Sequence, residues 1–206
     1  MTRSLYLPQR FARAFFLATD EIIGRHGLDA VLSLAGLERF HDALPPDTLE
    51  RSFSFAEMAA FNRALEEMYG IRGGRGMAQR IGRAWVAQGF INFGAFAGMR
   101  DPAFRALPRP ARLELGLLAL AHVFNQFSDQ QCAVSRTNES YHLTVDPCAF
   151  AWERRAEKPV CAAFVGLVQE TASLASGGYE YGVQEIQCRA TGADACVFTV
   201  SLRPHG

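Results

Sequence analysis

Glu185, Cys188 and Cys196 fall within twelve residues near the C-terminus, in the stretch YGVQEIQCRATGADACVF. A carboxylate and two thiols at that distance are three of the four donors that a tetrahedral zinc site uses. Glu185 and Cys188 stand at i and i+3, which on a flat strand sends them to opposite faces. They converge only if the strand ends and turns at Cys188, and RATGAD supplies a turn that returns the chain to Cys196. Cys161 is the candidate fourth donor. It opens an apolar helical stretch, where a helix packed on the hairpin would carry it over the other three and the helix dipole would favour its thiolate. A C-x7-C spacing is not a tight zinc knuckle. Two readings of these residues therefore stay open at this point. One is a closed metal centre; the other is three small, buried, apolar cysteines with Glu185 on an exposed strand position.

The elements that must place these donors lie on both sides of Ser128. After it, QQCAVSRT and SYHLTVD alternate in polarity and read as an antiparallel hairpin. KPVCAAFVGLVQETASLASGG reads as a helix, with Pro159 in its first turn and Gly177-Gly178 at its end. YEYGVQEIQC and ACVFTVSLRP read as a second hairpin, so residues 129–206 form a β-β-α-β-β unit. Residues 1–128 read as helical throughout. Gly27 is expected to end a first helix, LDAVLSLAGLERF to form a short second one, and ALPPDTLERSF to be a loop. Ser54 and Glu57 have the spacing of a capping box ahead of a helix ending at Gly70. GMAQRIGRAWVAQGFINFGAFAG is expected to be one long, glycine-dotted helix. The fold class is α+β: a single domain over residues 1–206, with a helical N-terminal half packed on the antiparallel sheet unit.

Composition narrows the function. Hydrophobic residues make up 49% of the 206, enough for a substantial core, and 21 basic residues balance 21 acidic ones. That balance gives no electrostatic footprint for nucleic acid. No apolar run is long enough to span a membrane. The basic, partly apolar N-terminus reads as an amphipathic helix and not as a signal peptide. The cytoplasm is the default location, and there the five cysteines are expected to be metal-bound, reactive or reduced.

Other candidates carry less specific signals. Trp85, Phe90, Phe93 and Phe96 share a stretch with Gly82, Gly89, Gly94 and Gly98. They read either as close helix packing or as the wall of an apolar ligand pocket. Trp85, Phe93 and His122 are the candidate pocket residues, although His122 also reads as an ordinary core or surface histidine. Gly73, Gly74 and Gly76 beside Arg72 and Arg75 suggest a flexible helix-entry turn, with an anion nest as the functional alternative. Cys148 and Cys132 are read as core. There is no Ser-His-Asp order, no H-E-x-x-H and no G-x-G-x-x-G fingerprint.

The stretch EKPVCAAFVGLVQETASLASGGYEYGVQEIQCRATGADACVF resembles the 4-vinyl reductase domain family: a helix opening at a cysteine, a strand ending E-x-x-C, a Gly-Asp turn and C-x-F. The clear resemblance covers about residues 146–200. DAVLSLAGL, FSFAEMAAFNRALEEMYG and GGRGMAQRIGRA are more distantly similar to free-standing members from phototrophic bacteria. The family includes a bacteriochlorophyll biosynthesis protein and the sensor domains of phenol-responsive transcription activators. The resemblance implies a zinc ion held by Cys161, Glu185, Cys188 and Cys196. With four protein ligands that zinc would be structural. It also implies a small apolar or aromatic ligand, such as a tetrapyrrole, with the chain as accessory or carrier in bacteriochlorophyll synthesis. A tetrapyrrole vinyl reductase is one alternative, for which these residues supply no nicotinamide or flavin motif. The other is a ligand sensor that acts through its helical half on a protein partner or a second copy of the chain.

Overall fold

The computed structural model describes residues 4–91 and 93–205. The helical half is built on α1 (Gln9–Leu34) and α2 (Phe55–Trp85), each interrupted by one glycine with left-handed φ: Gly24 at 75° and Gly70 at 70°. The break at Gly70 lies where the sequence places it. The break in α1 falls at Gly24 and not at Gly27, whose φ is not positive. Ser54 caps α2 as expected: the Glu57 amide donates to its hydroxyl, and the Glu57 carboxylate accepts from the Ser54 amide at 2.6 Å.

Residues 1–128 are not purely helical. Tyr6–Pro8 (β1) pairs antiparallel with Arg51–Ser54 (β2), so the expected loop ends in a strand. Three residues ending in proline leave too short a pattern to read. The expected long helix over 77–98 is also corrected. α2 ends at Trp85 and passes into a wide π-helical turn at Val86–Phe90. Short helices follow at Gly94–Ala97 (α3) and Pro102–Ala106 (α4) before α5 (Arg109–Phe127). Gly73, Gly74 and Gly76 lie inside α2, so neither an entry turn nor an anion nest exists there. A Cβ on Gly74 would stand 2.8 Å from the Leu65 carbonyl oxygen, so this glycine allows close approach across the Gly70 break.

The C-terminal part has the expected β-β-α-β-β order: β3 (Gln131–Arg136), β4 (Ser140–Asp146), α6 (Ala162–Ser176), β5 (Tyr181–Gln187) and β6 (Cys196–Pro204). The strands form one antiparallel sheet in the order β3-β4-β6-β5. Helix α6 lies between this sheet and α2. Both helices present glycine where they cross: a Cβ on Gly82 would stand 1.8 Å from the Ala163 carbonyl oxygen, and one on Gly166 1.9 Å from that of Gln79. Gly177 (φ 87°) and Gly178 (φ 94°) end α6. One apolar core runs through both halves. Phe11, Phe15, Trp85, Phe90, Phe124, Phe150 and Phe164 form a continuous aromatic cluster that reaches Phe198 on β6.

Candidate metal centre and ligand groove

The structure brings Cys161, Glu185, Cys188 and Cys196 together. One donor atom from each lies within 4.8 Å of all the others, and all four residues are buried. Cys161 is the N-cap residue of α6. It is held from the α2 side by Asn62, whose side-chain amide donates to the Val160 carbonyl at 2.9 Å. Glu185 and Cys188 share a face because of a β-bulge: Glu185 pairs with Phe198 and Gln187 with Val197. The extra residue, Ile186, shifts the alternation by one and is 46% exposed. After Cys188 a short 3-10 turn and Gly192 in the left-handed region reverse the chain. The Thr191 and Ala193 amides donate to the Cys188 carbonyl, and Cys196 returns on β6 with the Arg189 amide 3.4 Å from its sulfur.

The sulfurs form a compact triangle: Cys161 to Cys196 is 3.6 Å, Cys161 to Cys188 is 3.9 Å and Cys188 to Cys196 is 4.0 Å. The Glu185 carboxylate closes the fourth side. Its Oε2 accepts from the Cys161 amide at 2.9 Å, while Oε1 is buried with no hydrogen-bond partner. Burial pushes the Glu185 carboxyl up from 4.5 to about 8, reinforced by Cys188 beside it. Burial also drives the Cys161 thiol well up, and Cys196 is raised by its hydrogen bond with Cys148. Together, these donors resist carrying charge without a cation, which would stabilise their ionised forms. The donor set fits a metal ion.

A fifth sulfur stands beside the set. Cys148 is fully buried with its sulfur 3.6 Å from that of Cys161. The thiols of Cys161 and Cys196 donate to it and lower its pKa from 9.0 to about 6. The sequence reading treated it as core. Its position follows from register: Val145 on β4 pairs with Cys196, so residue 148 arrives just past the metal donors. Spacing along the chain carries no sign of this. Cys132 lies apart on β3, its thiol pushed up to about 12 by burial.

Trp85, Phe93 and His122 do not share a pocket. Trp85 is fully buried among phenylalanines, its indole donating to the Phe11 carbonyl at 2.9 Å. Phe93 borders a shallow surface pocket beside Arg13 and Gln88. His122 is on the exposed face of α5. The chain's own rings fill the space between the two halves, so the expected enclosed cavity is replaced by an open groove. It has a volume of about 510 Å³ and lies between the 91–105 segment, α5 and the C-terminal end of α6, with Phe96, Met99, Leu174 and Ala175 among its walls.

The family model of the 4-vinyl reductase domain matches residues 141–202. Among solved structures, a Tt H-NOX variant superposes with a TM-score of 0.57 at 15% identity, covering 97% of each chain. The Fe(II) unliganded H-NOX protein from K. algicida superposes at 0.54 with 9% identity, covering 95% of this chain and 96% of its own. A vinyl-4-reductase family protein from Methanocaldococcus jannaschii overlaps 55% of this chain and 80% of its own at 19% identity, with a TM-score of 0.37, too low to support an argument. No curated protein sequence matches the chain. The H-NOX likeness concerns the fold alone. The four-donor cluster lies wholly inside the matched stretch except for its framing by α2, and residues 141–202 of this chain are a 4-vinyl reductase domain.

Proposed function

We propose that this chain is a zinc-stabilised domain that binds a small aromatic molecule. The single observation behind this reading is the placement of α6. Its N-cap residue is a donor of the metal centre, and its C-terminal end forms a wall of the groove. The metal would thus pin the helix on which the ligand rests.

Zinc is supported by size and donor type. Zinc–sulfur bonds of about 2.3 Å in a tetrahedron require sulfurs about 3.8 Å apart. The three separations of 3.6, 3.9 and 4.0 Å bracket that value. Three thiolates and a carboxylate suit zinc, and the unpartnered Glu185 Oε1 is a ready fourth ligand. Cys161, Glu185, Cys188 and Cys196 would hold the ion, leaving no open position, and its role would be structural.

The ligand class rests on the groove's apolar walls and on the family resemblance. One H-NOX neighbour is described in terms of heme distortion. For this chain we propose a flat aromatic or tetrapyrrole ligand, with a role as carrier, accessory or sensor. Elemental analysis of protein purified without an affinity tag tests the first half: one zinc per chain is expected, and a folded, metal-free preparation refutes it. Thermal-shift titration with phenols and tetrapyrroles, without nucleotide, tests the second. A ligand at a hundred times its Kd adds about 2.7 kcal/mol, and a complete absence of shifts refutes ligand binding.

A further inference from the structure

We propose that the groove at the C-terminal end of α6 selects aromatic carboxylates, with the carboxylate held by Arg112 and flanked by Arg100 and Arg105. This rests on the small-molecule reading above and adds the charge of the ligand. All three arginines line the groove, and no aspartate or glutamate does.

Elsewhere the chain pairs its arginines: Arg10 with Asp47, Arg83 with Glu170 and Glu180, Arg154 with Glu66, and Arg189 with Asp146. The protein has as many acidic as basic residues, so compensation was available. Among the described residues, Arg100, Arg105 and Arg112 take part in no ion pair. Arg112 is the most informative of the three. It is half-buried, and its Nε is shielded from solvent with no hydrogen-bond partner. A shielded donor of a permanently charged group is costly to leave unpaired.

Two features fix this guanidinium in place. The C-terminal end of α6 carries the negative end of the helix dipole. Gly177, in the left-handed region at φ 87°, also leaves room for it: a Cβ there would stand 3.4 Å from Arg112 Nη1. The position is therefore built by the fold and does not depend on a freely rotating surface chain. A guanidinium presents paired N–H donors that match the two oxygens of a carboxylate. Ile91, Phe96, Met99 and Leu174 supply apolar surface for a ring system, and the volume lies within the usual range for small-molecule sites, about 300–1,000 Å³.

The test uses the full, metal-loaded chain and two isosteric pairs: 2-naphthoate against 2-naphthamide, and protoporphyrin IX against its dimethyl ester. The acid of at least one pair is expected to bind about tenfold more tightly than its neutral partner, as a charge-assisted contact should. Its affinity should fall as salt rises. Arg112→Gln should remove that preference and leave neutral binding unchanged. Arg63→Gln, at an exposed ion pair with Glu67 on α2, should change neither. Equal near-ultraviolet circular dichroism and metal content certify the fold of each variant. If Arg112→Gln does not fold, the exposed Arg105→Gln takes its place, with a smaller loss of the same preference expected. A neutral compound that binds as well as its acid, or an acid preference untouched by the groove variants, overturns the charge assignment and leaves small-molecule binding standing. Failure of all four compounds to bind overturns both.

Discussion

The two ends of α6 treat charge in opposite ways. At the N-terminal end, Cys161, Glu185, Cys188 and Cys196 converge in a site closed to water, where burial opposes ionisation of the carboxyl and pushes the Cys161 thiol well up. At the C-terminal end, some 22 Å away at about 1.5 Å per residue over fifteen residues, three permanently charged guanidiniums face an open groove. The first site can become charged only by taking up a cation, which makes it a structural element. The second keeps its charge in contact with solvent, which suits a site that exchanges its occupant. A single helix can serve both because its middle is locked: Gly82 and Gly166 bring α2 and α6 into backbone contact.

The largest test of this contrast removes a metal donor. Cys188→Ser should destabilise the domain far more than Cys132→Ser. A structural zinc contributes on the order of 10 kcal/mol of apparent folding free energy. Cys132, buried on β3 away from the donor set, should contribute about as much as one or two methylenes, roughly 0.8 kcal/mol each. Thermal melts of the two variants decide it. Equal, small shifts would show that the N-terminal end of α6 is ordinary core.

The next effect is in pH and has opposite signs with and without metal. In protein stripped by a chelator, Glu185 has its folded pKa raised from 4.5 to about 8. Folding then favours the protonated carboxyl, so this contribution is fully present below about pH 4.5 and is lost as pH rises through 8. Metal-loaded protein should run the other way, since ionised donors bind the cation and protons compete with it. Melting curves of both forms between about pH 5 and 8 should therefore slope in opposite directions. A stripped form that gains stability over this range would mean that the carboxyl is not held in a dry site.

Much of the donor set was legible in the sequence because it sits in elements with strong local signals. Alternation marked the four strands, and Pro159 and Gly177-Gly178 bracketed α6. The sequence also posed the correct difficulty, that Glu185 and Cys188 point apart on a flat strand. The answer, a bulge at Ile186, depends on pairing with β6 and has no local signature. Cys148 was missed for the same reason: it reaches Cys161 only through the β4–β6 register. In the helical half, the Ser54–Glu57 cap and the Gly70 break were readable because both are local chemistry. The π-turn after Trp85 and the β1–β2 pair were not, because tertiary packing decides them. The groove arginines did leave a trace: residues 100–112 hold four arginines and one aspartate. That imbalance is diluted in a chain of zero net charge.

Gly82→Ala tests the lock between the two ends. The added methyl has no space against the Ala163 carbonyl, so α2 and α6 must separate. Overpacking of this kind costs roughly 1–3 kcal/mol, and more where backbone must move. The loss should appear both as a lower melting temperature and as weaker ligand binding, because α6 walls the groove. A variant that melts lower yet binds ligand unchanged would show that the groove does not depend on how α6 is seated.

The smallest effect on stability should come from Arg112→Gln, and its smallness is informative. Arg112 makes no ion pair or side-chain hydrogen bond among the described residues, so the fold draws little from its charge beyond attraction to the α6 dipole. Removing that charge relieves the repulsion among three guanidiniums in one groove and ends the burial of an unpartnered Nε. These terms oppose the lost dipole attraction, and the net change in stability should stay within about 0.5 kcal/mol. Urea denaturation of the metal-loaded protein measures it. A loss several times larger would mean that Arg112 is a structural cap for α6, and the groove would then resemble the metal centre, a site whose charge serves the fold. A near-zero change alongside a loss of carboxylate binding would leave the contrast intact, with one end of α6 holding the domain together and the other free to exchange a ligand.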